Sequence, residues 1–259
     1  NNHQPWRVRY GPQHLDILHD DVSKPEFLEV NDEAARIAVG MFTETLRLAL
    51  GQQGVDTEMT PVGDDQPAVW ARLSARGGAT GQPDPLAAQI VHRVTNRKLY
   101  AGGSCTAGEL AAMQVAATLP GTALHFHRAP EAMRAIAHAV RLCDGVRMVN
   151  PRCHEEFHQQ THWSAKRAAE IGTGCDARTY ELKPHEAALI RMTRSYQVMR
   201  AVDAVIRMSS IAAAYAGRQI LASGAIGMLE VADHEPATLH AAGVALQRAW
   251  LEATRLGLA

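Results

Sequence analysis

An α+β fold is what the 259-residue sequence predicts, and three observations predict it. Strand-like and helix-like segments are intermixed without the regular βαβ alternation of a doubly wound sheet. The helical stretch at 33–50 carries Ile37, Met41 and Leu48 with Ala38, Phe42 and Ala49 beside them, an apolar surface too broad for a solvated helix. Composition is ordinary for a globular protein, with 46% hydrophobic and 20% charged residues. That excludes a disordered, collagenous or coiled-coil chain.

The elements follow in order. Trp6, Val8 and Tyr10 alternate with Arg7 and Arg9, and after Gly11-Pro12 Leu15 and Ile17 flank Asp16, which reads as a strand hairpin. The buried helix at 33–50 ends at Gly51 and Gly54. Val55, Thr57 and Met59 make a strand, and Val69, Ala71 and Leu73 another. Gly77 to Pro85 is a Gly/Pro-rich linker and the one internal boundary, dividing 1–80 from 81–259. Asp84-Pro85 caps and opens a helix through about Thr95, and Thr106 with Glu109 forms a capping box for the next. Leu124 to His127 is a short strand. Pro130 opens a helix closed by Gly145, a His-rich helix spans about 151–164, and a long helical stretch runs from about 184 to 216. Ile226 to Val231 is strand-like, and the last helix runs from Pro236 to Gly257.

The charge balance, 26 basic against 27 acidic residues, gives a net charge of -1 and no basic field for nucleic acid. Lys24, Lys98, Lys166 and Lys183 are the lysines; the other 22 basic residues are arginine, the side chain suited to bidentate grips on phosphate or carboxylate. The least polar stretch, Val205 to Met228, is broken by Arg207 and Arg218, leaving uncharged runs of about ten residues where a bilayer span needs ~20. Cys105, Cys143, Cys153 and Cys175 fall at no metal or redox spacing, so a cytoplasmic, reducing setting is expected. The opening at Asn1 without a Met reads as an excerpt from a longer polypeptide.

Three constellations can carry chemistry. Asn2-x-Gln4-Pro5-Trp6-Arg7 joins a rigid turn, an aromatic plane and two amides that donate and accept, a set able to meet a flat heterocycle; the plainer reading is a turn whose Trp caps the core. Arg93-Val94-Thr95-Asn96-Arg97 sets two guanidiniums around a hydroxyl, at a helix end where they can wrap a terminal phosphate; taken alone, a solvated basic face is the better reading of the run. His154-Glu155-Glu156-Phe157-His158 is a literal HExxH, in which two His on one helical face could bind zinc with Glu155 as general base. His162 cannot complete that site, because eight helical residues rise ~12 Å against Zn–N bonds of ~2 Å. Glu181 or Glu186 would have to, and a polar surface helix explains the run as well. There is also an internal echo: Ala38-Val39-Gly40 to Gly54-Val55 and Ala241-Ala242-Gly243 to Gly257-Leu258 share a frame, with Leu48 matching Leu251.

Taken together, the Asn2-x-Gln4-Pro5-Trp6 turn, the Arg93–Arg97 run and the helix Gly243-Val-Ala-Leu-Gln-Arg-Ala-Trp250-Leu-Glu-Ala-Thr-Arg-Leu-Gly257-Leu resemble the nitroreductase superfamily of flavoproteins. The branch it is most similar to is the Acg type, with the nitroreductase-like domains fused to ThiF-like adenylyltransferases. The resemblance implies a nitroreductase-like fold of two related halves, 1–80 and 81–259, forming a pseudo-dimer within one chain or assembling further as a homodimer. It implies one FMN per chain, with Arg93, Thr95 and Arg97 on its phosphate tail and Asn2, Gln4, Pro5 and Trp6 on the ring side. It further implies an FMN-dependent oxidoreductase passing hydride from NAD(P)H to a small acceptor such as a nitroaromatic or quinone, with no resident metal. No side chain is singled out as catalytic acid or base. Thr95 replaces the family's usual Ser and keeps the hydroxyl. The Pro-Ser before the Asn turn and the stretch after the last helix would fall outside these 259 residues. The alternatives are a non-catalytic FMN-binding or sequestering protein, and a zinc hydrolase working through His154 and His158.

Overall fold

Alternating apolar residues close the first hairpin, and the rest of the first sheet is built onto it. In the computed structural model, which describes residues 4, 6–20, 27–61, 68–77 and 82–258, β1 (Trp6–Tyr10) and β2 (His14–His19) pair antiparallel with Val8 opposite Ile17. After α1 (Glu33–Gln52) come β3 (Thr57–Pro61) and β4 (Val69–Ala75), which complete a four-stranded sheet of order β1-β2-β4-β3. Ile17, Trp70, Ala71 and Leu73 from the sheet bury against Ala35 and Val39 of α1, with Trp6 and Phe42 packed at the margin. Asp16 is fully buried there, and the Arg72 and Arg9 guanidiniums, each 2.6 Å away, hold its carboxyl down to about 2 despite the cost of burial.

The remaining elements are α2 (Ala107–Ala116), β5 (Thr122–His127), α3 (Pro130–Val149), α4 (Pro151–Gln160), β6 (Thr161–His162), α5 (Ala165–Ile171), β7 (Cys175–Asp176), α6 (Pro184–Met192), α7 (Tyr196–Ile206), α8 (Met208–Ala222), β8 (Ile226–Val231) and α9 (Pro236–Arg255). β5 and β8 pair antiparallel, with Leu124 opposite Leu229, and bury Leu124 and Leu229 against Ala117, Ala245 and Ala249. A strand pair followed by a 20-residue helix thus occurs twice: β1-β2-α1 and β5-β8-α9. In the second case α3 to α8 intervene between the two strands.

The two long helices cross through their glycines. A methyl built on Gly40 would run into the His240 carbonyl and come 2.9 Å from Gly243 Cα; one built on Gly243 would run into the Ile37 carbonyl and come 2.8 Å from Gly40 Cα. Only glycine at both positions lets the backbones approach this closely. The echo seen in the sequence is therefore a packing feature, because its matched glycines face one another. Its matched leucines, Leu48 and Leu251, are both buried in one cluster with Leu86 and Ala87.

The mixed α+β class holds, and most elements fall near their expected places; four differ. The helix expected from Pro85 to Thr95 stops as a 3₁₀ turn at Pro85–Gln89, so Arg93 to Arg97 lie on irregular chain, where Asn96 accepts its own turn's Lys98 N–H at 3.0 Å. Gly145 does not close α3, which continues to Val149. The His-rich helix ends at Gln160, where Thr161 and His162 leave it to pair with Cys175 and Asp176. The stretch expected as one helix from 184 to 216 is three. The Thr193 hydroxyl bonds back to the Leu189 and Ile190 carbonyls at the first break, and Arg207 is left-handed (φ 53°) at the second, where Asp203 caps Ser209. Among the described residues no helix is long and apolar enough to cross a membrane.

Candidate functional site

Two stretches of irregular chain, far apart in sequence, line one cavity of about 390 Å³. The first is Arg93 to Arg97, contributing Arg93, Thr95 and Arg97; the second runs from Ala168 of α5 through Gly172, Thr173, Gly174, Cys175 and Asp176 to Thr179. The Arg97 carbonyl accepts Gln219 Nε2 at 2.8 Å and the Tyr215 hydroxyl at 3.3 Å, which anchors the first stretch to α8. Arg97 Nη1 donates to the Thr179 carbonyl at 3.1 Å and so ties the two stretches together. Gly172 ends α5 in the left-handed region (φ 73°) and Gly174 is left-handed again (φ 79°), turning the chain sharply into β7.

The charge state of this cavity is lopsided. Arg93 stacks 4.3 Å from the Trp250 ring centroid, and among the described residues its guanidinium has no hydrogen bond or ion pair. Burial alone lowers its pKa, with no acid to offset it. The one carboxylate in the lining, Asp176, is chelated by Arg178 at 2.6 to 3.1 Å, and that side-chain bond lowers its pKa. Cys175 is buried beneath, and Tyr180 behind it bonds Thr161 Oγ1 at 3.2 Å. A half-buried cation without an anion is costly to leave so, and the lining can lower that cost by taking an anionic ligand.

Of the residues singled out in the sequence, Arg93, Thr95 and Arg97 come together in this cavity. Gln4 and Trp6 are not in its lining: Gln4 is exposed, and the half-buried Trp6 indole stacks on Phe42 at 5.1 Å against the first sheet. Asn2 and Pro5 lie outside the described residues. The loop Gly172 to Asp176 went unnoticed in the sequence, although a Gly-x-Gly pair ahead of an Asp cap was there to be read.

The His154–His158 run has a different environment from the one a zinc site needs. A carbonyl can only accept, so His154 Nε2 carries a proton and donates it to the Thr193 carbonyl at 2.8 Å. Burial, with His154 beside it, pushes the His158 pKa down to about 4, and its Nδ1 is buried without a hydrogen-bond partner among the described residues. Glu155 takes Gln159, Glu156 takes the Phe27 N–H at 2.7 Å, Glu186 accepts the Lys183 N–H, and Glu181 lies 3.5 Å from Lys98. No group of three His, Cys, Asp or Glu among the described residues could hold a metal ion.

A second, larger cavity of about 800 Å³ is also rich in arginine, with Arg47, Arg248 and Arg255 in its wall. There every guanidinium is matched. Glu44, only 1% exposed, accepts Arg47 at 2.7 and 2.8 Å and Arg248 at 2.7 Å; Asp84 accepts Arg248 at 2.9 Å, and Glu252 accepts Arg255 at 2.6 and 2.7 Å.

Comparison with protein-family models and with curated proteins returns no match for this chain.

Proposed function

We propose that the chain is an FMN-dependent oxidoreductase that passes hydride from a reduced nicotinamide to a small acceptor such as a nitroaromatic or quinone. The observation that carries this reading is Arg93: a guanidinium without an acidic partner among the described residues, in one cavity with Thr95 and Arg97. These three residues fit the terminal phosphate of a mononucleotide, since forked guanidiniums and a hydroxyl match its oxygens in charge and geometry. When bound, the flavin would supply the hydride chemistry; the protein supplies charge neutralisation and position. The repeated strand-strand-helix arrangement, with Gly40 and Gly243 in reciprocal contact, supports a chain of two related halves joined as a pseudo-dimer.

Purified protein reconstituted with FMN should show a bound-flavin absorption band, and NADPH should bleach it under anaerobic conditions. A flavin that dithionite reduces and NAD(P)H does not would replace the enzyme with a flavin-binding protein. Failure to retain any flavin would sink both.

A further inference from the structure

We propose that the loop Gly172–Thr173–Gly174 is a second anion-binding element of this cavity, holding a terminal phosphate from the side that the arginines do not supply. It rests on the proposal above only in that the cavity takes the phosphate end of its ligand.

Unused donors are what point to it. The backbone N–H groups of Thr173 and Gly174 and the Thr173 hydroxyl have no hydrogen-bond acceptor among the described residues, while the neighbouring Gly172 N–H is satisfied by the Ala168 carbonyl at 3.0 Å. The Thr95 hydroxyl is likewise without a partner among them. Arg93, Thr95, Thr173 and Gly174 all line the cavity, so residues that carry free donors, from two separate stretches of chain, border one space. Consecutive free amides in a turn with left-handed glycines make an anion-binding concavity.

The loop is also fixed in place by a side chain behind it. His162 Nε2 lies 2.8 Å from the Thr173 carbonyl and donates to it. In a planar trans peptide the carbonyl and the following N–H point in opposite directions, so anchoring Thr173 C=O on His162 turns Gly174 N–H away from His162. Gly174 has no room for a side chain: a Cβ there would lie 2.5 Å from the Gln160 carbonyl and 2.7 Å from His162 Nε2. Asp176, whose charge would repel a phosphate, is occupied by Arg178. The ligand class that fits two guanidiniums, two hydroxyls and two amides is a phosphate monoester, whose three terminal oxygens accept several bonds at once.

The test compares riboflavin 5′-phosphate with riboflavin by calorimetric titration, on the wild type, Thr173→Val and His162→Phe, with Arg93→Ala as reference. Thr173→Val keeps the shape and removes the hydroxyl; His162→Phe releases the carbonyl. Each should cut the preference for the phosphorylated flavin about tenfold while leaving riboflavin binding unchanged. If Arg93→Ala abolishes the preference and both loop variants keep it, the loop inference is wrong and the flavin reading survives. If neither flavin binds, inorganic phosphate added to isotopically labelled wild-type protein decides the matter. Saturable shifts of the Thr173 and Gly174 amide signals would sustain the loop without the flavin, and unmoved signals would overturn it.

Discussion

Two cavities in this molecule are lined by arginine, and they use it in opposite ways. In the larger one, Arg47, Arg248 and Arg255 are each bonded to a carboxylate, and those bonds carry the guanidiniums above their ordinary pKa; for Arg248 they do so against the desolvation of a half-buried side chain. In the smaller one, Arg93 has an aromatic face for a partner and its pKa moves down. A matched guanidinium beside buried Glu44 ties α1, α9 and the turn at Asp84 together, which is a structural task. A guanidinium with no acid beside it among the described residues, in a cavity with free hydroxyls and amides, is the group that, on the function proposed above, would take an anion. Pairing, more than residue type, separates framework from site.

The sharpest way to break this contrast is to remove one acid from the framework. Glu44→Ala leaves Arg248 and Arg47 without their buried partner and should lower stability by about 3–5 kcal/mol in urea unfolding. Arg93→Ala, measured the same way, should stay within about 1 kcal/mol of wild type, because no ion pair is lost. Equal losses in the two variants would mean that Arg93 is framework as well.

Acid probes the same interface from another direction. His240, 4% exposed between α1 and α9 with its Nε2 2.9 Å from Thr43 Oγ1, is kept neutral by desolvation, with Glu44 only partly opposing, and its pKa falls to about 4. Below its unfolded value of 6.5 the unfolded chain takes up a proton that the folded chain refuses, so stability declines as pH falls from 6.5 to 4. The decline amounts to about 3 kcal/mol from this residue at most. His158, lowered for the same reason, adds to it in the same window. Asp16 acts in the next window: its carboxyl, lowered to about 2, contributes stability that is lost as pH drops below 3.8. Unfolding curves from pH 7 to pH 3 should show both phases. His240→Asn should shrink the first by that residue's share, leave the part due to His158, and not alter the second.

On the site's side of the comparison, Arg93→Ala and Arg97→Ala should each weaken FMN binding by about 1.5–3 kcal/mol, the scale of a charge-assisted hydrogen bond. Arg97 should sit at the lower end, since one of its nitrogens is already committed to Thr179. Fluorescence quenching of the free flavin reads both. Unchanged affinity in the two variants would separate the cavity from FMN altogether.

The residues that could be read from the sequence are those whose chemistry is local. The hairpin at Gly11 and the caps at Thr106 and Asp84 depend on neighbours within a few positions, and they fall where periodicity and capping put them. The buried face of α1 does not: apolar spacing pointed to Ile37, Met41 and Leu48, but only Leu48 of these is buried, and the helix turns Ala35, Val39, Gly40, Thr43 and Glu44 inward, where Gly40 meets α9 and Glu44 meets Arg248. Arg93, Thr95 and Arg97 were legible as a spaced run. The loop at Gly172 was not, because only the fold brings it into one cavity with residues nearly eighty positions away. The breaks at Thr193 and Arg207 escaped for a related reason: apolar spacing carries through a kink that a single back-bonded hydroxyl or one left-handed residue introduces. Trp6 follows the plainer of its two sequence readings so far as packing goes, with its indole stacked on Phe42 at the margin of the first core.

The finest distinction concerns Trp250, the one side-chain partner of the Arg93 guanidinium among the described residues. If the guanidinium is held ready by the indole face, Trp250→Leu should loosen Arg93 without unpairing any charge. The expected loss is the cation–π contribution of about 0.5–1 kcal/mol in ligand binding, roughly a two- to fivefold weakening. A structural role alone would lower the unfolding midpoint and leave affinity intact. A ligand site with a prepositioned arginine predicts weaker binding that Trp250→Phe restores, because a smaller aromatic face still faces the cation. Combining Trp250→Leu with Arg93→Ala separates the two cases: if the indole acts only through Arg93, the double variant binds no worse than Arg93→Ala alone.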